Sequence, residues 1–186
     1  MAKLKNDEDV IRVTKIDAAR RQLRTAINLW FSDGDPVSIH TLAYAAYEIV
    51  HVVSGKNGRT RDLILDSLVI KDEYAGEWKA AVKKAPNFFK HADKDADKEI
   101  EFNPAVNEIL ILFCVLAIEL MGLEKENTES AFIYWLMITH PERLTPTGKQ
   151  SVADIFPADE ISKLRRLSRP EFLHAYIGAR VRINRN

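Results

Sequence analysis

The sequence is sparing with the residues that staple, kink or loosen a chain. It has one cysteine in 186 residues, so no internal disulfide can form. That residue, Cys114, lies in the apolar run ILILFCVLAIELM, the setting of a small core side chain rather than of a reactive thiol. Glycine and proline number seven each and fall between periodic segments, which is how a helical protein is punctuated. Neither sign of charge dominates: 27 Lys and Arg balance 27 Asp and Glu. That balance removes the broad counterion-driven attraction of a nucleic-acid coat protein, while leaving room for a local basic patch. No stretch of signal-peptide length opens MAKLKNDEDVIRV. The most apolar segment, Ala105 to Met121, is interrupted by Glu108 and Glu119 and falls short of the ~20 residues that cross a bilayer. These absences predict a cytoplasmic protein with no membrane partner. Phosphate-cradling glycine loops, GxSxG and HExxH are also missing.

What is present is helical periodicity. A chain of 186 residues fits one domain, here residues 1–186, with a core over about 14–140 and a C-terminal helical extension over about 141–186. Thr14-Lys15-Ile16-Asp17 has the form of a capping box. Ile16, Ala19, Leu23, Ile27 and Trp30 then recur at spacings of three and four until SDGDP. Asp35 as N-cap and Pro36 at the first helical position open a second helix, predicted to run to Ser54 and stop at Gly55. Its apolar residues cover more than one face, so it belongs in the middle of a bundle. Further helices are predicted over about 60–69, 71–84, 104–121 and 127–139. Ala85-Pro86 is expected to break the 71–84 pattern and start a new turn carrying Asn87, Phe88, Phe89 and His91. LTPTGKQSVADIFP reads as loop, followed by short helices at ADEISKLRRL and from Ser168-Arg169-Pro170-Glu171. The fold class is therefore all-α, an up-and-down helical bundle with short C-terminal helices, in which 36–54 and 104–121 are neighbouring central helices.

Two constellations could carry chemistry. On the second helix, His40, Tyr44, Tyr47, Glu48 and His51 fall within an arc of roughly 100° at 100° per residue. An ionisable stripe on a helix otherwise rich in Ala, Val, Ile and Leu must find partners, because unpaired buried polar groups are costly. It forms either a ligand site between helices or a set of satisfied core and rim side chains. The second constellation is NFFKHADKDADKE, residues 87–99. Its alternating aspartates suggest a calcium loop. An EF-hand loop from Asp93 requires Gly at its sixth position and Glu at its twelfth, and these are Lys98 and Pro104. A solvated acidic loop fits better. His40, Glu48 and His91 have the chemistry of metal ligands, but no metal or cofactor is predicted.

The order of segments resembles the HEPN superfamily, the higher eukaryote and prokaryote nucleotide-binding domains, over roughly residues 16 to 121. AARRQLRTAINLW followed by SIHTLAYAAYEIVHVV is similar to the family's opening helix pair, with Glu48 at its acidic position. PNFFKHAD is similar to its Arg-Asn-x-x-x-His element, with Asn87 and His91 in place and Pro86 where the arginine belongs. The resemblance implies a small helical bundle, a homodimer and an association with RNA or a nucleotide. Members with the complete element are commonly metal-independent ribonucleases of toxin or defence type. On that reading His91 is the acid–base group, Asn87 orients it or the phosphate, and Lys84 or Lys90 stabilises the phosphorane. The missing arginine favours instead a non-catalytic protein that binds RNA, a nucleotide or a protein partner. In that case the ligand-binding residues are His40, Tyr44, Glu48, His51, Lys84 and Lys90. A bundle that binds a metal or small ligand through the stripe is a further alternative.

Overall fold

The computed structural model describes residues 10–56, 72–93 and 96–183. It is an all-α helical bundle: α1 (Lys15–Phe31), α2 (Pro36–Lys56), α3 (Asp72–Lys90), α4 (Val106–Leu120), α5 (Asn127–Thr139), a 3-10 turn (Pro141–Arg143), α6 (Pro146–Ile155), α7 (Ala158–Leu164) and α8 (Arg169–Ile183). No strand occurs among the described residues. The helix expected over 60–69 lies outside them.

Local sequence accounts for most of the boundaries. The Thr14 hydroxyl accepts from the Asp17 N–H at 3.1 Å, and Asp17 Oδ2 accepts from the Thr14 N–H at 3.0 Å, a reciprocal cap. At the other end of α1, Gly34 N–H donates to Leu29 O at 2.8 Å and Asp33 takes a φ of 51°. This 6→1 closure turns the chain straight into α2. Asp35 accepts from the Ser38 N–H at 2.7 Å to cap α2. A second 6→1 closure ends α4, with Leu123 N–H on Ile118 O and Gly122 at φ 76°.

Three expectations about the elements are corrected. First, α3 runs unbroken through Pro86 to Lys90, so no new turn begins there. An internal proline forfeits one backbone bond, and here the ring is buried, so packing offsets that loss. Second, 144–157 is not loop. Thr145 accepts from the Gly148 N–H at 3.2 Å and Pro146 occupies the first turn of α6. This is the same cap-then-proline pair that opens α2, masked in the sequence by Gly148 and a polar composition. Third, α2 continues through Gly55 to Lys56, and α4 starts at Val106, two residues after Pro104.

α2 is the hub, packing on α1, α3 and α4. Ala43 and Ala46 of α2 and Cys114 and Ala117 of α4 are fully buried, and the Cys114 thiol reaches Ala43 O at 3.6 Å. Small side chains thus let these two helices approach closely. Leu23, Ile27, Leu110, Ile111 and Ile118 fill the surrounding core, each contributing about 1.5–3 kcal/mol of burial. The C-terminal helices join the same core rather than trailing from it: Phe172 of α8 is fully buried and stacks on Phe31 at 6.3 Å. Arg169 lays its guanidinium over Trp30 at 4.0 Å and pairs with Asp33 at 3.3 Å.

Candidate functional site

The polar stripe of α2 is split by depth. His40, Tyr44 and Tyr47 are buried, whereas Glu48 and His51 are partly exposed. His40 sits among rings, edge-on to Phe89 of α3 at 5.7 Å and to Phe102 at 4.9 Å, with Tyr44 stacked one turn away at 6.2 Å. Its Nδ1 lies 2.9 Å from Oδ1 of buried Asn107 on α4. The Asn107 amide donates through Nδ2 to Pro36 O at 3.0 Å, which fixes Oδ1 as the acceptor. His40 is therefore the Nδ1–H tautomer, and Nε2 is an acceptor buried without a hydrogen-bond partner among the described residues. Burial holds this imidazole below the usual histidine range, against the Asn107 bond, and Lys90 adds to the depression. A neutral imidazole sealed among aromatics orders helices.

The next turn of the stripe faces the end of α3. Lys90 Nζ lies 5.3 Å from the Tyr44 ring centroid and 3.8 Å from Glu48 Oε2. Burial, and then the Glu48 carboxylate, push the Tyr44 phenol above its ordinary range. Tyr47 stacks on His51 at 5.7 Å. Of the residues singled out from the sequence, the structure thus gathers His40, Tyr44, Glu48 and Lys90.

The others stand apart. Lys84, Asn87 and His91 are exposed, with His91 one residue beyond the last turn of α3. The His91 N–H donates to Asn87 O at 3.0 Å, a backbone bond that says nothing of catalysis. Among the described residues, no third side chain orients His91, as an acid–base group requires. The 87–91 segment turns Phe89 inward to His40 and leaves His91 outside.

Among the described residues the geometry assembles no metal-ligand set. Glu48-Ile49-Val50-His51 and Glu171-Phe172-Leu173-His174 both have the Glu-x-x-His spacing of di-metal carboxylate bundles. Glu171, however, caps α8, accepting from the Ser168 N–H at 2.8 Å, and Glu48 faces Lys90. Among the described residues no three His, Cys, Asp or Glu converge to hold an ion, so His40, Glu48 and His91 do not form such a set. Nor does Cys114 offer a nucleophile: it is fully buried, and burial pushes its thiol well up.

Two features were not anticipated from sequence. Glu129 of α5 is fully buried and takes a two-point contact from Arg20 of α1, Nη2 to Oε2 at 3.2 Å and Nε to Oε1 at 3.4 Å. The same carboxylate accepts from the Glu126 N–H at 2.8 Å, so it is a satisfied structural charge. Nothing in NTESAF marks it, because a first-turn glutamate is ordinarily exposed. The second feature is an apolar cleft of about 230 Å³ between α4 and α5, bordered by His140, Arg143 and Leu144. Comparison with protein-family models, curated proteins and solved structures finds no match.

Proposed function

We propose that this chain is a non-catalytic, HEPN-like helical protein that engages the phosphates of RNA through the exposed end of α3. The observation that carries the reading is Pro86. It stands where the resemblance places the arginine of the Arg-Asn-x-x-x-His element, and its ring is buried inside a continuous helix. No guanidinium can stand there to stabilise a phosphorane. Lys90, the nearest cation in sequence to His91, is committed to Glu48 and the Tyr44 ring. What stays in solvent is Lys83, Lys84 and Asn87, along one face of the last turns of α3, with His91 just beyond its end. Such a strip can hold phosphate oxygens without cleaving the ester. The acidic residues that follow, Asp93, Asp97 and Glu99, are exposed as well and keep the affinity modest.

The test pairs binding with cleavage. Fluorescence anisotropy on a labelled single-stranded RNA should show binding that weakens with salt, and Lys83→Glu/Lys84→Glu should lose it. The same RNA should remain intact on a denaturing gel. Cleavage that disappears in His91→Ala would restore the ribonuclease reading, and no binding at low salt would remove RNA as the ligand.

A further inference from the structure

We propose that the cavity where α5, α7 and α8 meet the end of α6 is a binding site for an organic cation, a methylated ammonium head. The inference does not rest on the RNA reading, since none of these helices carries the α3 strip. The cavity measures about 210 Å³, larger than the ~150 Å³ apolar void that takes up a benzene molecule. It exists because α8 presents Ala175 and Ala179 to it, one turn apart, where larger side chains would close the gap.

Three aromatic side chains line it. Tyr134 of α5 and Phe156, the residue that follows α6, stand 5.3 Å apart at 79°, two walls of a corner. Tyr176 of α8 lies beside Tyr134 at 5.7 Å, the rings tilted by 33°. The faces of such rings carry the negative lobe of the quadrupole. A corner built from them favours a cation over a neutral group of the same size.

The charge on the wall has the matching sign. Glu160 of α7 lines the cavity, partly buried, and no side chain among the described residues pairs with its carboxylate. Its acidic neighbours are engaged: Asp154 accepts from Gln150 Nε2 at 2.8 Å and Asp159 from Lys163 Nζ at 3.0 Å. A carboxylate drawn out of water beside three rings is costly until a cation joins it. A primary ammonium would need an acceptor here for each of its three N–H donors, whereas a quaternary one has none to strand. That selects the methylated head. Ile155, also on the lining, is 52% exposed, so the rest of the ligand can leave past it into solvent.

The experiment is an NMR titration of the full chain, with circular dichroism to establish that each variant is folded. Choline and tetramethylammonium should bind saturably and shift resonances of α5 and α8. The neutral isostere of choline, with tert-butyl in place of trimethylammonium, should bind on the order of tenfold more weakly. Glu160→Gln keeps the shape, removes the charge and should weaken choline binding on the order of tenfold. Ala179→Leu fills the gap from an exposed helical position, so helix content should be retained and binding lost. A peptide carrying a trimethylated lysine separates the two sources of such a head. Tighter binding of the peptide assigns it to a protein side chain and tighter binding of choline to a free small molecule; either supports the site. Failure of choline, tetramethylammonium and the peptide to bind at millimolar concentration overturns the proposal. The neutral isostere binding as well as choline overturns the choice of a cation. Binding indifferent to both Glu160→Gln and Ala179→Leu overturns the site, because the ligand then sits elsewhere.

Discussion

His40 Nδ1 and Asn107 Oδ1, 67 positions apart in sequence, meet at 2.9 Å in the interior and tie α2 to the first turn of α4. Asn107 in turn holds Pro36 O, so one amide fixes the start of α2 and the tautomer of its first stripe residue. Burial outweighs that bond and keeps His40 neutral and sensitive to acid.

That sensitivity has a definite sign. The folded-state pKa of His40 is depressed, chiefly by burial, so the unfolded chain takes up a proton first as pH falls. His40 should therefore cost no stability above its unfolded pKa of about 6.5 and an increasing amount below it, down to the folded pKa. The slope cannot exceed about 1.4 kcal/mol per pH unit for one proton. Urea unfolding at pH 7 and pH 5 should show the loss, and His40→Asn, with an amide in place of Nδ1–H, should show less of it. Equal pH dependence in the two proteins would count against the assignment.

Arg20 and Glu129 make the second long-range polar tie, and its removal should be asymmetric. Arg20→Ala strands a fully buried carboxylate and should cost about 3–5 kcal/mol. Arg20 is one-fifth exposed, which places the expected value toward the low end. Combining Arg20→Ala with Glu129→Gln removes the stranded charge and should recover part of the loss. Chemical denaturation of the two variants gives the comparison directly, and a double variant less stable than Arg20→Ala would contradict it.

Gly34 is a point where the backbone itself sets the limit. A Cβ there would stand 3.0 Å from Leu29 O and 3.2 Å from Leu29 Cδ2, inside the closure that joins α1 to α2. Gly34→Ala should destabilise by about 1–3 kcal/mol through overpacking. Asp33→Gly, one residue earlier, relieves the left-handed backbone at φ 51° but gives up the Arg169 contact, and should come out near neutral. Melting temperatures of the two variants separate these effects.

The all-α class, the caps at Thr14 and Asp35, the central pairing of α2 with α4 and the burial of Cys114 were legible because each rests on local chemistry or on a strong period. The run through Pro86 was not, since a proline's cost is local while the packing that offsets it is tertiary. Thr145-Pro146 was legible in principle, being the same signal as Asp35-Pro36, but it opens a helix with only Val152 buried and hence a weak period. The stripe on α2 was readable as a stripe. Its division into a sealed His40 and a rim around Glu48 depends on Phe89 and Phe102, whose approach no spacing encodes. Glu129 was invisible for a similar reason: its partner lies 109 positions away.

The last prediction concerns His91, where a single variant separates an exposed residue from a structural one. A structural histidine at this position would pack beside Phe88 and Phe89, and its loss would cost about 1–3 kcal/mol by stranding its partners. The structure instead leaves the His91 side chain in solvent and gives the inward place to Phe89, which meets the His40 and Phe102 rings. His91→Ala should therefore change stability by no more than about 0.5 kcal/mol, as surface substitutions do. Phe89→Ala should cost about 3 kcal/mol or more in the same urea series, within the range for truncating a packed aromatic, because it opens the ring cluster over His40. If His91→Ala proves as damaging as Phe89→Ala, the two side chains have exchanged places and the end of α3 is turned differently from the arrangement described. If it is silent in stability but weakens RNA binding, His91 belongs to the phosphate-facing strip with Lys83 and Lys84. If it is silent in both, that strip ends at Asn87.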